Sequence, residues 1–280
     1  MIFDESFFLD GISRIEFFQN YWHKRPLFLS GGGNYLFEKL ILQNQVSSII
    51  KRRTDIKQDI KRYKDGTLFI DRIDRYIPAL RQKMHYIARS ENWSPVWFDS
   101  TLAHDGGGLG RHFDESDNFV FQQEGVKQWD VEFADCIPDD YKRARLLSEL
   151  RTGMLQNQRY EGSQKFSYTL LPGDVLYIPL FFPHRGISMG DTFSISFACG
   201  AKSLLDYLDE NNIKLLKHQP EVWQPIPNNN SYSDQKLRQI IKQRICFILQ
   251  EQADEKQLNH LVNHVMDKLS HERLLMRGGI

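Results

Sequence analysis

Hydrophobic side chains recur at helical spacing in the first part of the chain. Within residues 12–22 they fall roughly along one helical face, at Ile12, Ile15, Phe17, Phe18 and Tyr21. Pro26 follows, and because a proline disfavours helical conformation in the preceding residue, the helix should end before it. A short strand, PLFLS, comes next. Residues 35–53 again show helical spacing, and a turn at 64–66 joins two strand-like runs.

The pattern changes to short alternating runs between residues 97 and 199. Six runs have the composition of strands: VWFDSTLA, DNFVFQQ, KQWDVEF, KFSYTLL, DVLYIPL and DTFSISFACG. The segments GGGLG, EG, PGD and MGD separate them and are interpreted as turns. Several short strands with frequent turns predict a barrel or a double-sheet jelly roll. A charged, helix-prone stretch at 139–160 is interpreted as an insertion, either a substrate-facing lid or a solvated surface helix.

Helical periodicity returns after Gly200, over residues 203–217, 234–251 and 254–270. Ser233 or Asp234 could cap the second of these helices. The predicted fold is therefore mainly β with helical flanks. A helical and strand wrap at 1–95 precedes a double-stranded β-helix (cupin, jelly-roll) barrel at 96–200, and a C-terminal helical domain follows at 201–280. The length suits one sizeable core and a smaller unit.

Charge and cysteine content narrow the class of partners. Lysine plus arginine and aspartate plus glutamate both number 36, so the formal net charge is zero and no direct nucleic-acid partner is expected. Apolar runs are too short for a membrane span, and the first residues lack the basic region of a signal peptide. The three cysteines have no CxxC spacing, which argues against a disulfide framework or a zinc cluster. We expect a soluble, cytoplasmic protein.

Two separate segments carry metal-ligand chemistry. His112-Phe113-Asp114 places an imidazole and a carboxylate two residues apart, so in an extended strand both project from one face. Glycines at 106, 107, 108 and 110 precede them and allow close approach of a ligand. The second segment, LLPGDVLYIPLFFPHRG at 170–186, predicts a strand that brings His184 to the same edge. Two histidines and one carboxylate suit non-haem Fe(II); zinc stays the alternative, although HExxH spacing is absent.

Other polar residues near these segments are candidates for binding an anion or a substrate. Lys127 could hold a carboxylate, with Arg111 and Arg185 as rivals. Hydroxyls alternate along the last strand, and Thr192 and Ser194, with Ser196, are candidates for the cosubstrate site, although ordinary strand amphipathicity explains them equally well. Glu115 and Asp117 could bind a cationic substrate, or could simply stabilise a turn. His104 could be a fourth ligand, although an ordinary loop histidine is more common. Aromatic residues that could stack on a substrate, or be ordinary core residues, are Trp129, Tyr177, Phe181 and Phe182.

Three segments resemble the JmjC-domain ribosomal oxygenases, also called the cupin-4 or bacterial protein-arginine hydroxylase group. They are FFQNYWHKRPLFLSGG, GGGLGRHFDESDNFVFQQEGVKQW and LLPGDVLYIPLFFPHRG, in that order, over about residues 15–200. The resemblance implies a JmjC-type cupin core, iron held by His112, Asp114 and His184, and Lys127 on the distal carboxylate of 2-oxoglutarate. Bacterial arginine hydroxylases of this group usually carry arginine at the position of Lys127.

The resemblance also implies a reaction and an assembly. Dioxygen and 2-oxoglutarate would be consumed, succinate and carbon dioxide released, and an unactivated carbon of a protein side chain hydroxylated. Similar proteins dimerise through helices that follow the barrel, so we expect a homodimer. About 80 residues follow Gly200, fewer than dimer helices plus a winged-helix unit would need.

Three functions remain open from the sequence. The first is the protein side-chain hydroxylase. The second is a 2-oxoglutarate oxygenase that acts on a peptide or a small-molecule natural product, which a shortened C-terminal region would allow. The third is a non-enzymatic cupin that binds a metal structurally, which loss of any ligand residue would favour. None of the three ligand residues is missing.

Overall fold

A computed structural model describes residues 7–33, 43–91, 93, 96–138, 161–200, 204–208, 226, 233–249 and 255–278. The described residues form five α-helices: α1 (Arg14–Asn20), α2 (Gln43–Arg52), α3 (Pro78–Glu91), α4 (Asp234–Leu249) and α5 (Glu255–Gly278). They form eight strands: β1 (Leu27–Leu29), β2 (Ile60–Arg62), β3 (Leu68–Ile70), β4 (Val96–Ala103), β5 (Ser116–Glu132), β6 (Lys165–Leu170), β7 (Val175–Ile178) and β8 (His184–Gly200).

All eight strands pair antiparallel in one sheet, which confirms the mainly β cupin fold. The order is β1-β7-β5-β8-β4-β3-β2, and β6 pairs with the second half of β5. The two 17-residue strands, β5 and β8, pair along their whole length from Ser116↔Gly200 to Val131↔His184. They are the central members of the barrel, and the site residues lie on them or beside them.

Two predicted turns are wrong, because they lie inside these long strands. The EG segment falls within β5 and the MGD segment within β8, where the pairing shifts register between Gln122 and Val126. Gly125 and Gly190 have φ angles of 71° and 88°, a conformation that glycine adopts without steric cost. Each glycine therefore bends a strand while pairing continues on both sides, as barrel curvature requires.

Hydrophobic side chains fill both faces of the sheet. One face packs against the N-terminal helices through an aromatic cluster in which Phe8, Phe17 and Trp93 surround Phe119. A second cluster lies around Trp129 and includes residues of β5, β6 and β7. Helices α4 and α5 share a separate core with residues 204–208 and Ile226. The strand alternation predicted from the sequence thus corresponds to two buried faces.

The helical predictions hold where the chain is described. Ser13 caps α1, and Ser233, one of the two proposed caps, accepts a hydrogen bond from the Lys236 backbone N–H at 3.2 Å. The last helix continues beyond its predicted end to Gly278. The insertion at 139–160 lies outside the described residues, as does most of the predicted helix at 203–217. None of the described helices combines the length and apolar composition that crossing a bilayer requires.

The two glycine bends offer a stability test. A Cβ at Gly125 would lie 2.1 Å from the Asp191 carbonyl oxygen, whereas a Cβ at Gly190 would meet nothing within 4 Å. Gly190→Ala should cost about 1 kcal/mol of unfolding free energy, from backbone conformation alone. Gly125→Ala adds the clash and should cost about 3 kcal/mol or more. Urea unfolding of both variants measures this, and equal losses would show that the contact at Gly125 is relieved cheaply.

Candidate active site

Backbone pairing brings the two ligand segments together. His112 and His184 form an isolated β-bridge in which each backbone N–H donates to the other residue's carbonyl, at 3.0 and 2.7 Å. The Phe181 N–H donates to the Asp114 carbonyl at 2.7 Å. The sequence predicted that His112 and Asp114 lie in an extended strand. They lie instead in the segment that precedes β5, where His112 forms only an isolated bridge. Their geometry depends on the chain around His184.

The three side chains converge on one point. One ligand atom from each of His112, Asp114 and His184 lies within 4.8 Å of the others. The Nε2 atoms of His112 and His184 are 3.9 and 3.5 Å from the Asp114 carboxylate oxygens. Phe113 turns the other way and packs against Phe181. The distances fit three donors around a single metal ion.

Backbone carbonyls orient both imidazoles. His112 Nδ1 is 3.0 Å from the Gly110 carbonyl oxygen, and His184 Nδ1 is 2.9 Å from that of Phe182. Because a carbonyl only accepts, each Nδ1 carries the proton, and each Nε2 presents its lone pair to the metal position. Burial, and then the neighbouring His112, lower the pKa of His184 to about 4. His184 is therefore neutral at physiological pH, as a metal ligand must be.

Lys127 is buried and lines the same cavity as the three candidate metal ligands. Its side chain is 2% exposed, and burial lowers its pKa to about 8. Among the described residues no carboxylate forms an ion pair with it; its Nζ lies 5.2 Å from the centre of the Trp129 ring. Gly186 leaves room for it, since a Cβ there would lie 2.8 Å from Lys127 Cε. A buried ammonium without a carboxylate partner suits an anionic ligand.

The two rival cations, Arg111 and Arg185, do not line the cavity. Arg111 forms a bidentate pair with Glu132, at 3.0 and 2.7 Å. The side chain of Arg185 is exposed and does not line the cavity. Two described cations line the cavity, Lys61 and Lys127; Lys61 is exposed, whereas Lys127 is buried and better suited to hold an anion beside the metal position.

The cavity has a volume of about 270 Å³ and contains both the ligands and Lys127 in its wall. Ser194 and Ser196 also line it, as predicted from their strand face. Thr192 is buried but is not part of the wall, and its hydroxyl is hydrogen-bonded to that of Ser188 at 2.7 Å. Among the aromatic candidates Trp129 lines the cavity, whereas Tyr177, Phe181 and Phe182 are core residues.

The candidate roles of Asp117 in substrate binding and of His104 as a metal ligand are wrong. Asp117 does not face a substrate, because its side chain is fully buried. Its carboxylate accepts a hydrogen bond from Tyr177 Oη at 2.5 Å and pairs with His23 Nε2 at 2.8 Å. His104 is not a ligand, since it pairs with Asp191 on the surface at 2.7 Å. Glu115 does lie in the cavity wall.

Several residues of the cavity wall were not singled out from the sequence, among them Asn118 and Asp99. Asn118 donates through Nδ2 to Asp114 Oδ2 at 2.8 Å. Asp99 accepts hydrogen bonds from the Arg72 backbone N–H and from Trp97 Nε1, and burial raises its pKa to about 8. A polar residue at every second position of an otherwise apolar strand could have identified both, because β4 and β5 each present alternate residues to the barrel interior.

The family comparison agrees with this geometry: the JmjC domain family matches residues 78–207, which include all three metal-binding candidates and Lys127. The chain has the JmjC cupin fold: strands β4 to β8 lie within the matched segment, and β1 to β3 extend the same sheet.

Proteins with similar sequences and folds are known. A probable ribosomal oxygenase of Haemophilus influenzae is 22% identical over 69% of this chain and 51% of its own length. The ribosomal protein uL16 3-hydroxylase of Escherichia coli is 22% identical over 65% of this chain and 51% of its own length. The chain thus spans about half the length of these curated relatives.

Solved structures share the fold. Escherichia coli YcfD superposes with a TM-score of 0.53 at 18% identity, covering 88% of this chain and 70% of the other. A structure of YcfD, described as a ribosomal oxygenase, in complex with cobalt and 2-oxoglutarate gives a TM-score of 0.50 at 17% identity, covering 91% and 71%. At this identity the likeness establishes the fold of the JmjC domain.

The lowered pKa of His184 predicts a pH dependence of stability in metal-free protein. An unfolded histidine takes up a proton near pH 6.5, whereas folded His184 does so near pH 4. The unfolded state therefore gains protons first, and stability falls as pH drops from about 6.5 towards 4. Between pH 7 and pH 5 the loss should be about 2 kcal/mol. In urea unfolding of chelator-treated protein, the wild type should lose about 2 kcal/mol more stability between pH 7 and pH 5 than His184→Gln does. Equal losses in the two proteins would contradict the prediction.

Proposed function

We propose that this protein is an Fe(II)- and 2-oxoglutarate-dependent dioxygenase that hydroxylates a protein side chain. The observation that carries the proposal is the placement of a buried Lys127 ammonium, without a carboxylate partner, in the cavity that holds His112, Asp114 and His184. A metal site alone would fit many chemistries. A metal site beside a buried cation fits a metal-bound dicarboxylate. The similar proteins named as hydroxylases, and YcfD with cobalt and 2-oxoglutarate, support the same reading.

The donor set favours iron. Two imidazoles and one carboxylate leave coordination positions open, as in ferrous oxygenases. When bound, Fe(II) supplies the redox chemistry that couples decarboxylation of 2-oxoglutarate to hydroxylation by dioxygen. A zinc hydrolase could use the same three ligands, but it would not need a buried ammonium in the same cavity.

The protein's own groups hold and orient the cosubstrate. The Lys127 ammonium would bind the distal carboxylate of 2-oxoglutarate by charge-assisted hydrogen bonds. The Ser194 hydroxyl, in the same wall, is placed to add a further hydrogen bond. Thr192 would act through its neighbour Ser188 rather than by direct contact. Trp129 and Ile178 add apolar surface to the same wall, and a cosubstrate that displaced water from it would strengthen these polar contacts.

The cavity wall suits a basic side chain of a protein substrate, as an arginine-hydroxylase-like activity would need. Asp99 and Glu115 line it together with the aromatic rings of Trp97 and Phe69. A cation that enters beside Asp99 would stabilise the charged carboxylate and lower its raised pKa. Guanidinium and ammonium groups also bind favourably over aromatic faces.

We also propose the arrangement of the whole chain. Residues 1–95 would wrap the barrel, 96–200 would form the catalytic core, and 201–280 would form a helical unit through which two chains dimerise. Support comes from the separate hydrophobic core of α4 and α5 and from Phe247 on α4, which is 66% exposed. A cytoplasmic location is supported by the three cysteines, none of which is in a disulfide.

Removing one ligand tests the metal assignment. His112→Ala or Asp114→Ala should abolish succinate formation from 2-oxoglutarate in the presence of Fe(II), because two remaining donors hold the metal poorly. The melting temperature should change little, since both side chains lie at the cavity rather than in the core. His104→Ala, which removes a surface histidine outside the cavity, is the control. Full turnover in either ligand variant would refute the assignment. Mass spectrometry for +16 Da products in ribosomal proteins and in a cellular peptide pool separates protein from peptide substrates.

Lys127 should control the affinity for 2-oxoglutarate. Lys127→Ala should raise the KM for 2-oxoglutarate by about 10- to 100-fold, the effect of losing a charge-assisted bond. In the wild type this KM should rise as pH increases above about 8, because the ammonium then loses its proton. Lys127→Arg keeps its charge at these pH values, so its KM should not show that rise. An unchanged KM in the alanine variant would contradict the role.

A further inference from the structure

We infer that Asn118 is a positioning residue, which fixes the Asp114 carboxylate so that one oxygen remains for the metal. Asn118 Nδ2 lies 2.8 Å from Asp114 Oδ2, and the asparagine is 8% exposed in the cavity wall. The inference rests on the metal site of the proposed function. Asn118 lies within the segment that matches the JmjC domain family, but it is not one of the three candidate metal ligands.

The direction of this hydrogen bond is fixed by chemistry. An ionised carboxylate only accepts hydrogen bonds, so the asparagine must present its NH2 group and not its carbonyl oxygen. The other contacts of Nδ2, to the Ser116 carbonyl and hydroxyl, are both 3.5 Å and therefore weak. Asp114 is thus the main partner of the Asn118 amide.

Among the described residues, Asn118 donates the side-chain hydrogen bond that holds the Asp114 carboxylate beside the two imidazoles. Its carboxylate is 37% exposed, and it lies on a segment without regular strand pairing. The two imidazoles are each fixed by a backbone carbonyl, whereas the carboxylate is fixed by a side chain. Asn118 itself is held by β5, where it pairs with Ile178 on one side and Ala198 on the other.

The hydrogen bond from Asn118 also makes the two oxygens of the Asp114 carboxylate different from each other. Oδ2 accepts from Asn118 and lies 3.5 Å from His184 Nε2, whereas Oδ1 lies 3.9 Å from His112 Nε2. With Oδ2 engaged, the carboxylate is disfavoured from binding a metal through both oxygens. Coordination through one oxygen leaves an additional position for other ligands, which a facial set of three donors requires.

The test measures metal binding directly, with Co(II) as the probe and no turnover. Asn118→Leu has nearly the same size and shape but no donor. It should weaken Co(II) binding by about 10- to 100-fold, the usual effect of removing a partner of a metal ligand. Its Co(II) absorption spectrum should also change, because the carboxylate is free to rotate. Asn118→Asp, which replaces the donor by a second acceptor, should differ from wild type in the same two readouts. Ser116→Ala removes only a weak contact of the amide and should bind Co(II) as the wild type does.

A double-mutant cycle separates positioning from general destabilisation. In the Asp114→Ala background, Asn118→Leu should change Co(II) affinity no further, since the group that it orients is gone. Equal affinity and spectrum for wild type and Asn118→Leu would overturn the inference while leaving the metal site intact. The same fold-loss in both backgrounds would also overturn it. If the wild type itself does not bind Co(II), the proposed metal site fails, and the inference fails with it.

Discussion

The site depends on a short piece of backbone pairing between two distant segments. The reciprocal hydrogen bonds of His112 and His184, together with the bond from Phe181 to Asp114, close the barrel at the point where the ligands meet. Separate side-chain bonds then set each donor: two backbone carbonyls orient the imidazoles, and Asn118 orients the carboxylate. The ligand geometry is thus determined before a metal arrives.

The long strands β5 and β8 support this closure. Their pairing continues from Ser116↔Gly200 to Val131↔His184, through the bends at Gly125 and Gly190. The register shifts between Gln122 and Val126 separate Asn118 from Lys127 along β5, and the side chains of both residues line the cavity. One strand therefore contributes both the partner of Asp114 and the proposed anion-binding ammonium.

Electrostatics inside the cavity follow from burial. The same loss of water that keeps His184 neutral lowers the pKa of Lys127 and raises that of Asp99. Near pH 7 burial favours the neutral forms of His184 and Asp99, whereas Lys127 remains mainly a buried ammonium that a bound anion would stabilise.

The sequence by itself determined the class of fold, the strand-rich centre with helical flanks, and the three candidate ligands, because alternation of apolar residues and the HFD and FFPH segments are local signals. It could not distinguish a turn from a bend inside a strand at Gly125 and Gly190, since both use glycine. Only the tertiary structure decided that Arg111 pairs with Glu132, that Asp117 is buried with Tyr177, and that Asn118 reaches Asp114. Those outcomes depend on which strands become neighbours, and pairing between residues far apart in the chain leaves no local pattern.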